Sequence, residues 1–474
     1  MKQLRPYRIH PYVASFLRIV PLFAALSSYQ ACGQTPADPW LQVETILSRI
    51  KPPEFPAKDF VITDFGARGD GVTDCSDAFR QAIEECSKSG GSRIVVPGGK
   101  FLTGPIHLKS NVNLHLMEGA VVQFHRDPAK YLPLVFTRWE GVECMNYSPL
   151  IYAFEESNIA VTGSGTLDGQ ANRDHWWFWK GNKDHGWKEG MPSQLDGRKK
   201  LFAMGEKGVP VEERKMGDGH YLRPSFIQPY KCRNILIEGV KIINSPMWEI
   251  HPVLCENVTV KNVHVDTHGP NNDGCNPESS KDVLIKDCYF DTGDDCIAIK
   301  SGRNNDGRRV NTPSENIVIR GCTFKDGHGG ITIGSEISGG ARNIFAENCE
   351  FESPVLYSAL RIKSNAVRGG IIENIHVRNL NVGLVDRAVV DIDLYYEEGK
   401  NGQFLPTIRN ISIERMTVKK CKTALNLVGY EEAPLRDIRI VDCEFKEASR
   451  GYKIEHVEGL ELVRTTVNGK ELKR

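Results

Sequence analysis

Lys281-Asp282-Val283-Leu284-Ile285 and Glu315-Asn316-Ile317-Val318-Ile319 carry one pattern: a charged residue, then Asn or Asp, then apolar-x-apolar. It is found before them as Arg233-Asn234-Ile235-Leu236-Ile237 and Glu256-Asn257-Val258-Thr259-Val260. It continues after them as Arg342-Asn343-Ile344-Phe345-Ala346, Glu373-Asn374-Ile375-His376-Val377, Arg409-Asn410-Ile411-Ser412-Ile413, Arg436-Asp437-Ile438-Arg439-Ile440 and Glu458-Gly459-Leu460-Glu461-Leu462. The starts are 23, 25, 34, 27, 31, 36, 27 and 22 residues apart. Ser110-Asn111-Val112-Asn113-Leu114 and Ser157-Asn158-Ile159-Ala160-Val161 belong to the same series. Apolar alternation is the mark of a strand with one buried face. Recurrence at such a period marks a stack of coils, and the uneven step fits turns of different size on one side. The expected fold is all-β: a right-handed parallel β-helix. A second apolar pair, as in Cys288-Tyr289-Phe290 and Cys322-Thr323-Phe324, gives each coil at least two strands. The recurring Asn is expected to stack from coil to coil, because Asn tolerates the left-handed turn conformation.

A stack of coils needs its apolar ends covered. Thr73 or Asp74 is placed to cap a helix with Ala78, Phe79, Ile83 and Cys86 on one face, a fitting N-terminal lid. The repeat lapses into a polar insertion around residues 169–224. The expected organisation is a single β-helical domain over 58–474, a linker over 32–57 and a signal peptide over 1–31. That last segment joins a basic stretch (Lys2, Arg5, Arg8, Arg18) to an apolar run, Ile19 to Leu26, too short to span a bilayer. Cys32 after Ala31 leaves two readings open, ordinary cleavage and lipoprotein processing. The protein is expected to be exported: secreted, periplasmic, or an outer-membrane lipoprotein of a Gram-negative bacterium. No later segment reads as a transmembrane span. Sixty basic residues balance sixty acidic ones, which gives no case for nucleic acid. The 13 cysteines include no paired CxxC metal motif. Those at the repeating position read as small buried hydrophobes.

The repeat also aligns the chain with itself. Four coils carry Pro277-Glu278-Ser279, Ile299-Lys300-Ser301, Ile333-Gly334-Ser335 and Ile362-Lys363-Ser364. Counting back from each serine puts Asp273 and Asp295 in one column and Asp294 and His328 in another. Column neighbours lie roughly 4.8 Å apart. If Ile333 and Ile362 point inward, Arg361 and Lys363 point outward with the acids. Three carboxylates this close cannot all ionise cheaply, so one is expected to keep its proton near neutral pH. An acid beside ionised carboxylates is what glycosidic cleavage requires, and the cations suit an anionic sugar. Singly, an Asp pair in a turn or a His near glycines is an ordinary loop feature; the convergence on adjacent coils carries the reading. Cys275 and Cys296 lack a partner base and read as packing residues.

Asn271-Asn272-Asp273, Gly293-Asp294-Asp295, Gly327-His328-Gly329 and Arg361-Ile362-Lys363, in this order, resemble the four motifs of the family 28 glycoside hydrolases, the polygalacturonases. The resemblance extends to the opening Asp64-Phe65-Gly66-Ala67-Arg68-Gly69-Asp70-Gly71. It implies Asp294 as general acid, Asp273 and Asp295 as holders of the attacking water, and His328 as keeper of the acid. Arg361 and Lys363 would bind the galacturonate carboxylate, with Asn271 and Lys300 beside them. The mechanism would invert, with carboxyl groups roughly 6.5–9.5 Å apart, and no metal or cofactor is implied. Asn272 departs from the family's usual Thr. Tyr395 is the first candidate for the family's substrate-binding tyrosine, with Tyr396 beside it.

The expected reaction is hydrolysis of α-1,4-galacturonosidic bonds in pectin, by a monomer. The aromatic insertion around His175-Trp176-Trp177-Phe178-Trp179, with Trp187, either stacks on sugar or anchors its loop. Large insertions of this kind mark the exo-acting branch, which closes one end of the groove. Arg303, Arg308 and Arg309 add charge to a widened coil. The Gly-His-Gly motif favours polygalacturonan over rhamnogalacturonan. Endo action, rhamnogalacturonan or xylogalacturonan as substrate, a pectate lyase and a non-enzymatic carbohydrate-binding β-helix are the alternatives.

Overall fold

The computed structural model describes residues 38–473, so the expected signal peptide and Cys32 lie outside the described residues. Over them the repeats close into a right-handed parallel β-helix with three strand faces per coil. On the first face, Ser157–Gly163, Arg233–Glu238, Glu256–Lys261, Lys281–Lys286 and Ser314–Arg320 pair in turn, all parallel. The register puts the first apolar residue of each repeat in one column: Ile235, Val258, Val283, Ile317, Ile344, Ile375, Ile411 and Ile438, all buried. Burial of each contributes about 1.5–3 kcal/mol. On the second face Phe290, Phe324 and Phe351 stack, with ring centroids 5.8 and 4.7 Å apart. The third face, whose strands lead into the serines of the self-alignment, runs through Ile297–Ile299, Ile331–Ile333, Leu360–Lys363, Ala388–Asp393 and Thr423–Val428.

The repeated Asn does stack. Asn158 donates to Asn111, Asn234 to Asn158 and Asn257 to Asn234, at 2.8–2.9 Å. Further on, Asn343 donates to Asn316, Asn374 to Asn343 and Asn410 to Asn374, at 2.6–3.0 Å. These residues sit in the left-handed region, Asn158 at φ 55° and Asn343 at 56°. Each side-chain amide therefore satisfies its neighbour at a bend where a bulkier residue would be strained.

The ladder is interrupted at Asp282, which has no amide hydrogens to donate. An N-terminal segment fills the gap. Arg49 grips Asp282 with two bonds of 3.1 and 2.7 Å, and Lys51 exchanges two backbone bonds with the Asn257 amide. This segment corrects the expected linker: it contains the helix Leu41–Arg49. Trp40, Val43, Ile46 and Ile50 form a short apolar stripe over Val318 and Phe345 on the outside of the first sheet. The stripe spans barely three turns in a polar stretch, which is why composition alone reads it as linker.

The helix Ser76–Lys88 lies at the N-terminal end with Ala78, Phe79, Ile83 and Cys86 buried. Neither candidate cap sits at the N-cap position, which is Cys75 and has no side-chain cap; Asp74, one residue earlier, accepts from the Ser76 amide at 3.0 Å. At the other end Thr466–Val467 pairs antiparallel with Lys470–Glu471. All twelve described cysteines are buried free thiols.

The insertion over 169–224 contains the helix Leu195–Glu206. It packs against a second excursion that the repeat does not announce, the antiparallel hairpin Val135–Trp139 and Val142–Asn146. Trp139, Val142, Cys144, Leu201, Met216 and Leu222 form a satellite core with Met247 and Trp248. The insertion's tryptophans follow the anchoring reading: Trp176 and Trp179 are buried, and the Trp177 indole donates to the Ser245 carbonyl at 2.8 Å.

Candidate active site

The strand Ile297–Ile299 begins two residues after Asp295, and Ile331–Ile333 begins three after His328. Both acids and the histidine thus sit on bends that enter the third face. Cys275 bridges Ile297 and Ile297 pairs with Ile331, so Asp273 aligns with Asp295, and Asp294 with His328. Counting back from the serines yields the same two columns. Thr332 pairs with Arg361 and Ile333 with Ile362, which leaves Arg361 and Lys363 on the outer face beside the acids.

One oxygen from each of Asp273, Asp294 and Asp295 lies within 4.8 Å of the others. That is tighter than the separation of roughly 6.5–9.5 Å expected for an inverting pair. The reason is the fold: two of the acids are column neighbours on successive coils, so strand spacing sets their distance. Lysines compensate the charge. Lys363 Nζ is 2.6 Å from Asp295 Oδ2, and Lys300 Nζ is 3.5 Å from Asp273 Oδ2. Thr332 donates to the other Asp295 oxygen at 3.1 Å.

Burial and the Asp294 charge push the Asp273 carboxyl well above its ordinary range, against the pull of Lys300. Burial also disfavours the Asp294 carboxylate, but the His328 bond and charge together with the Lys363 and Lys300 charges outweigh it and hold Asp294 low. His328 Nδ1 lies 2.9 Å from Asp294 Oδ1. Burial opposes charge on the imidazole, yet that bond and the Asp294 charge raise its pKa. In the free site, the proton expected on one carboxylate is therefore favoured on Asp273, while Asp294 shares another with His328. The Gly-His-Gly frame has a steric cause: a Cβ on Gly329 would stand 2.2 Å from Thr332 Oγ1, and one on Gly327 2.6 Å from the Asp294 carbonyl.

These residues floor a cavity of about 290 Å³ that also contains Asn271, Lys300, Arg361 and Lys363. Asn271 Oδ1 accepts from Lys180 and from Arg223, both at 2.8 Å. The departure at Asn272 has a structural reading. Fully buried, it accepts from Thr267 Oγ1 and the Gly269 amide and donates to the Ser245 and Met247 carbonyls. It shapes the bend beneath Asp273 and faces no cavity.

Tyr395 is placed elsewhere. It is 47% exposed and meets Tyr430 edge-on, while Tyr396 lines the cavity with Lys363 Nζ 5.4 Å and Arg361 Cζ 5.7 Å from its ring centre. A turn following the strand Ala388–Asp393 decides which tyrosine faces in, and no repeat register reaches it. Arg303, Arg308 and Arg309 do not offer free charge to the cavity. Arg303 pairs with Glu336 at 3.2 Å, Arg309 with Asp306 and Glu143, and Arg308 donates to the carbonyls of Val367 and Arg368.

Several cavity residues escaped the sequence reading. Glu140 comes from the hairpin and pairs with Arg198 of the insertion at 2.7 Å. Lys180 also comes from the insertion, and neither excursion has a register that would have placed it. Glu336, which bonds Lys300 Nζ at 3.1 Å, directly follows the aligned Ser335 and was within reach of the column argument. Trp248 lies under Lys300, 4.5 Å from ring centre to Nζ.

Comparison with known proteins agrees with this geometry. Residues 205–465 match the model of glycosyl hydrolases family 28, and residues 60–115 match one described as rhamnogalacturonase A/epimerase, pectate lyase-like. The hyperthermoactive exopolygalacturonase from Thermotoga maritima is 50% identical, with a TM-score of 0.88 over 91% of this chain and 96% of that one. An exo-poly-alpha-D-galacturonosidase of Dickeya chrysanthemi is 28% identical over 75% of this chain and 62% of its own length. A probable polygalacturonase of Vitis vinifera is 29% identical over 83% of this chain and 75% of its own. With four ordered motifs meeting at one cavity and more than half the chain matched, the protein belongs to family 28 of the glycosyl hydrolases.

Proposed function

We propose that the protein is an exo-acting polygalacturonase that hydrolyses α-1,4-galacturonosidic bonds of pectin by single displacement with inversion. The observation that carries this is a three-carboxylate floor in a cavity walled at its N-terminal-coil end. The insertion lines that end with Lys180, which bonds Asn271, and is anchored there by Trp177, which bonds the Ser245 carbonyl. A chain end fits such a cavity and a chain middle does not.

In this reading the proton on the His328–Asp294 bond passes to the glycosidic oxygen from Asp294 as the bond to the anomeric carbon breaks. A water between Asp273 and Asp295 attacks that carbon from the opposite face and gives up its proton to the ionised carboxylate. Lys363 and Thr332 each donate to one Asp295 oxygen and hold the carboxyl group in place, which suits a base better than a nucleophile. Arg361 and Lys363, with Tyr396 beside them, provide the cationic face for the substrate carboxylate. Lys180 is the cation at the closed end.

The test is a product time course on polygalacturonic acid for wild type and Asp294→Asn, with the first anomer read by proton NMR. Early release of short product in the β-configuration from the α-linked chain, reduced by roughly 10²–10⁴-fold in the variant, is expected. Early mixed oligomers would overturn exo action, and an α-product would overturn inversion. Loss of activity to a chelator, with an ultraviolet-absorbing product, would mark a lyase instead. Export and a monomeric state are part of the proposal, and the basic and apolar N-terminal pattern of the sequence supports the export. Among the described residues no helix is long and apolar enough to cross a membrane.

A further inference from the structure

Carboxylates and cations nearly balance around the cavity, so net charge does not locate a substrate carboxylate there. The hydrogen-bond donors left over do. Lys300 is taken up by Glu336 and Asp273, and Lys363 bonds Asp295. Arg198 uses only its Nε, which donates to Glu140 Oε2 at 2.7 Å. Among the described residues its two Nη atoms have no hydrogen-bond partner, and the half-buried side chain lines the cavity.

That guanidinium is held from two sides. Its Cζ lies 4.5 Å from the ring centre of Phe202, one turn further along the same helix. The Arg303 Cζ lies 4.2 Å from the same ring. Glu140 holds it from the hairpin. Glu140 and Gly141 form the two-residue turn between Val135–Trp139 and Val142–Asn146, at φ 41° and 81°. Such a turn favours Asn or Asp before the glycine, and a glutamate at positive φ is strained. The longer side chain is what carries a carboxylate from the turn to Arg198. The tip is pinned, because the Arg303 amide donates to the Gly141 carbonyl at 2.9 Å. Burial disfavours charge on Glu140, but Arg198, Lys180 and Arg303 outweigh that and hold its carboxyl below the ordinary range.

We propose that Arg198, set in place by Glu140 and Phe202, is a specificity-determining residue that binds the carboxylate of the substrate's terminal, non-reducing sugar. A guanidinium anchored through Nε presents its two Nη atoms as a fork, which matches a carboxylate. Lys180, on the same insertion, bonds Asn271 two residues before Asp273 and so ties this end to the catalytic floor. Arg361 and Lys363 come from a later coil than the three acids, so the sugar on the far side of the scissile bond has cations of its own. A terminal sugar without a free carboxylate would leave the Arg198 fork desolvated and unpaired. The inference deepens the exo-polygalacturonase reading and rests on it.

The test measures kcat and KM of wild type, Arg198→Met and Arg198→Lys on trigalacturonate and on the same trimer methyl-esterified only at its non-reducing sugar. Wild type is expected to favour the free acid by about 10-fold or more in kcat/KM. Arg198→Met should raise KM for the free acid by about the same factor, with kcat within about three-fold, and leave the ester within about two-fold. The preference then collapses. Arg198→Lys keeps the charge and loses the fork, so it should fall between the two. Urea unfolding reports whether each variant is folded, and Arg198→Lys decides alone if Arg198→Met is not. A pair that merely ties the hairpin to the insertion predicts equal loss on both substrates. That result, or a free-acid preference unchanged in a folded variant, overturns the inference. Early mixed oligomers from wild type on polygalacturonate overturn the exo reading beneath it, an outcome read separately from the trimer kinetics.

Discussion

His328 stands one coil above Asp294 in the same column and bonds it, Nδ1 to Oδ1, at 2.9 Å. The bond raises the imidazole above its ordinary 6.5 and lowers the carboxylate. One proton shared along this bond is available to the leaving oxygen only while the pair holds it. The pair keeps it below the raised His328 pKa and loses it as pH rises through that value. The basic limb of kcat/KM is therefore expected above pH 6.5. His328→Gln should lower kcat roughly 10²-fold or more and displace the basic limb. A pH–rate profile of both proteins checks this, and an unmoved limb would remove His328 from the proton path.

Tyr396 and Tyr395 should separate cleanly. Tyr396 lies beside both Arg361 and Lys363, so Tyr396→Ala is expected to raise KM for galacturonides about 10-fold or more. Tyr395→Ala, facing Tyr430 outside the cavity, should leave KM and kcat within about two-fold of wild type. Initial-rate kinetics on one oligogalacturonide decide the pair.

Glu336 is a buried carboxylate between Lys300 and Arg303. Burial disfavours its charge, but Lys300, Arg303 and Arg368 outweigh that and hold its pKa far below the usual 4.5. A folded pKa lower than the unfolded one gives stability that is full above about pH 4.5 and lost as pH falls. Glu336→Gln should therefore cost about 3 kcal/mol near neutral pH and flatten the acid side of the stability curve. Urea unfolding at several pH values measures both, and a variant as pH-sensitive as wild type would contradict the assignment.

The N-terminal segment should contribute stability without touching catalysis. Trp40 is buried, packs edge-on against Phe345 at 5.5 Å and carries the Arg378 guanidinium over its ring at 3.8 Å. Trp40→Ala is expected to cost about 3 kcal/mol with kcat unchanged. Asp282→Asn would offer the ladder its missing amide and release Arg49, so hydrogen exchange over residues 39–50 should quicken. Unchanged exchange there would show that the apolar stripe alone docks the helix.

The repeat determined the coils by itself, because apolar alternation and a left-handed Asn at each bend are local requirements that every copy must meet. Counting along those copies was enough to bring Asp273, Asp294, Asp295 and His328 together before any coordinates, since a parallel stack converts sequence offset into spatial neighbourhood. The residues outside the repeat had no such rule. Glu140, Lys180 and Arg198 reach the cavity from two irregular excursions whose packing on Trp248 is a tertiary matter. The choice of Tyr396 over Tyr395 belongs to a turn without a register. The docking of Leu41–Arg49 depended on an apolar patch, Val318 and Phe345, that faces outward from the sheet and needs a cover from elsewhere in the chain. The sequence alone thus determined the solenoid and the catalytic columns, through periodicity. Only the tertiary structure decided how the cavity is walled, because long-range packing leaves no period in the chain.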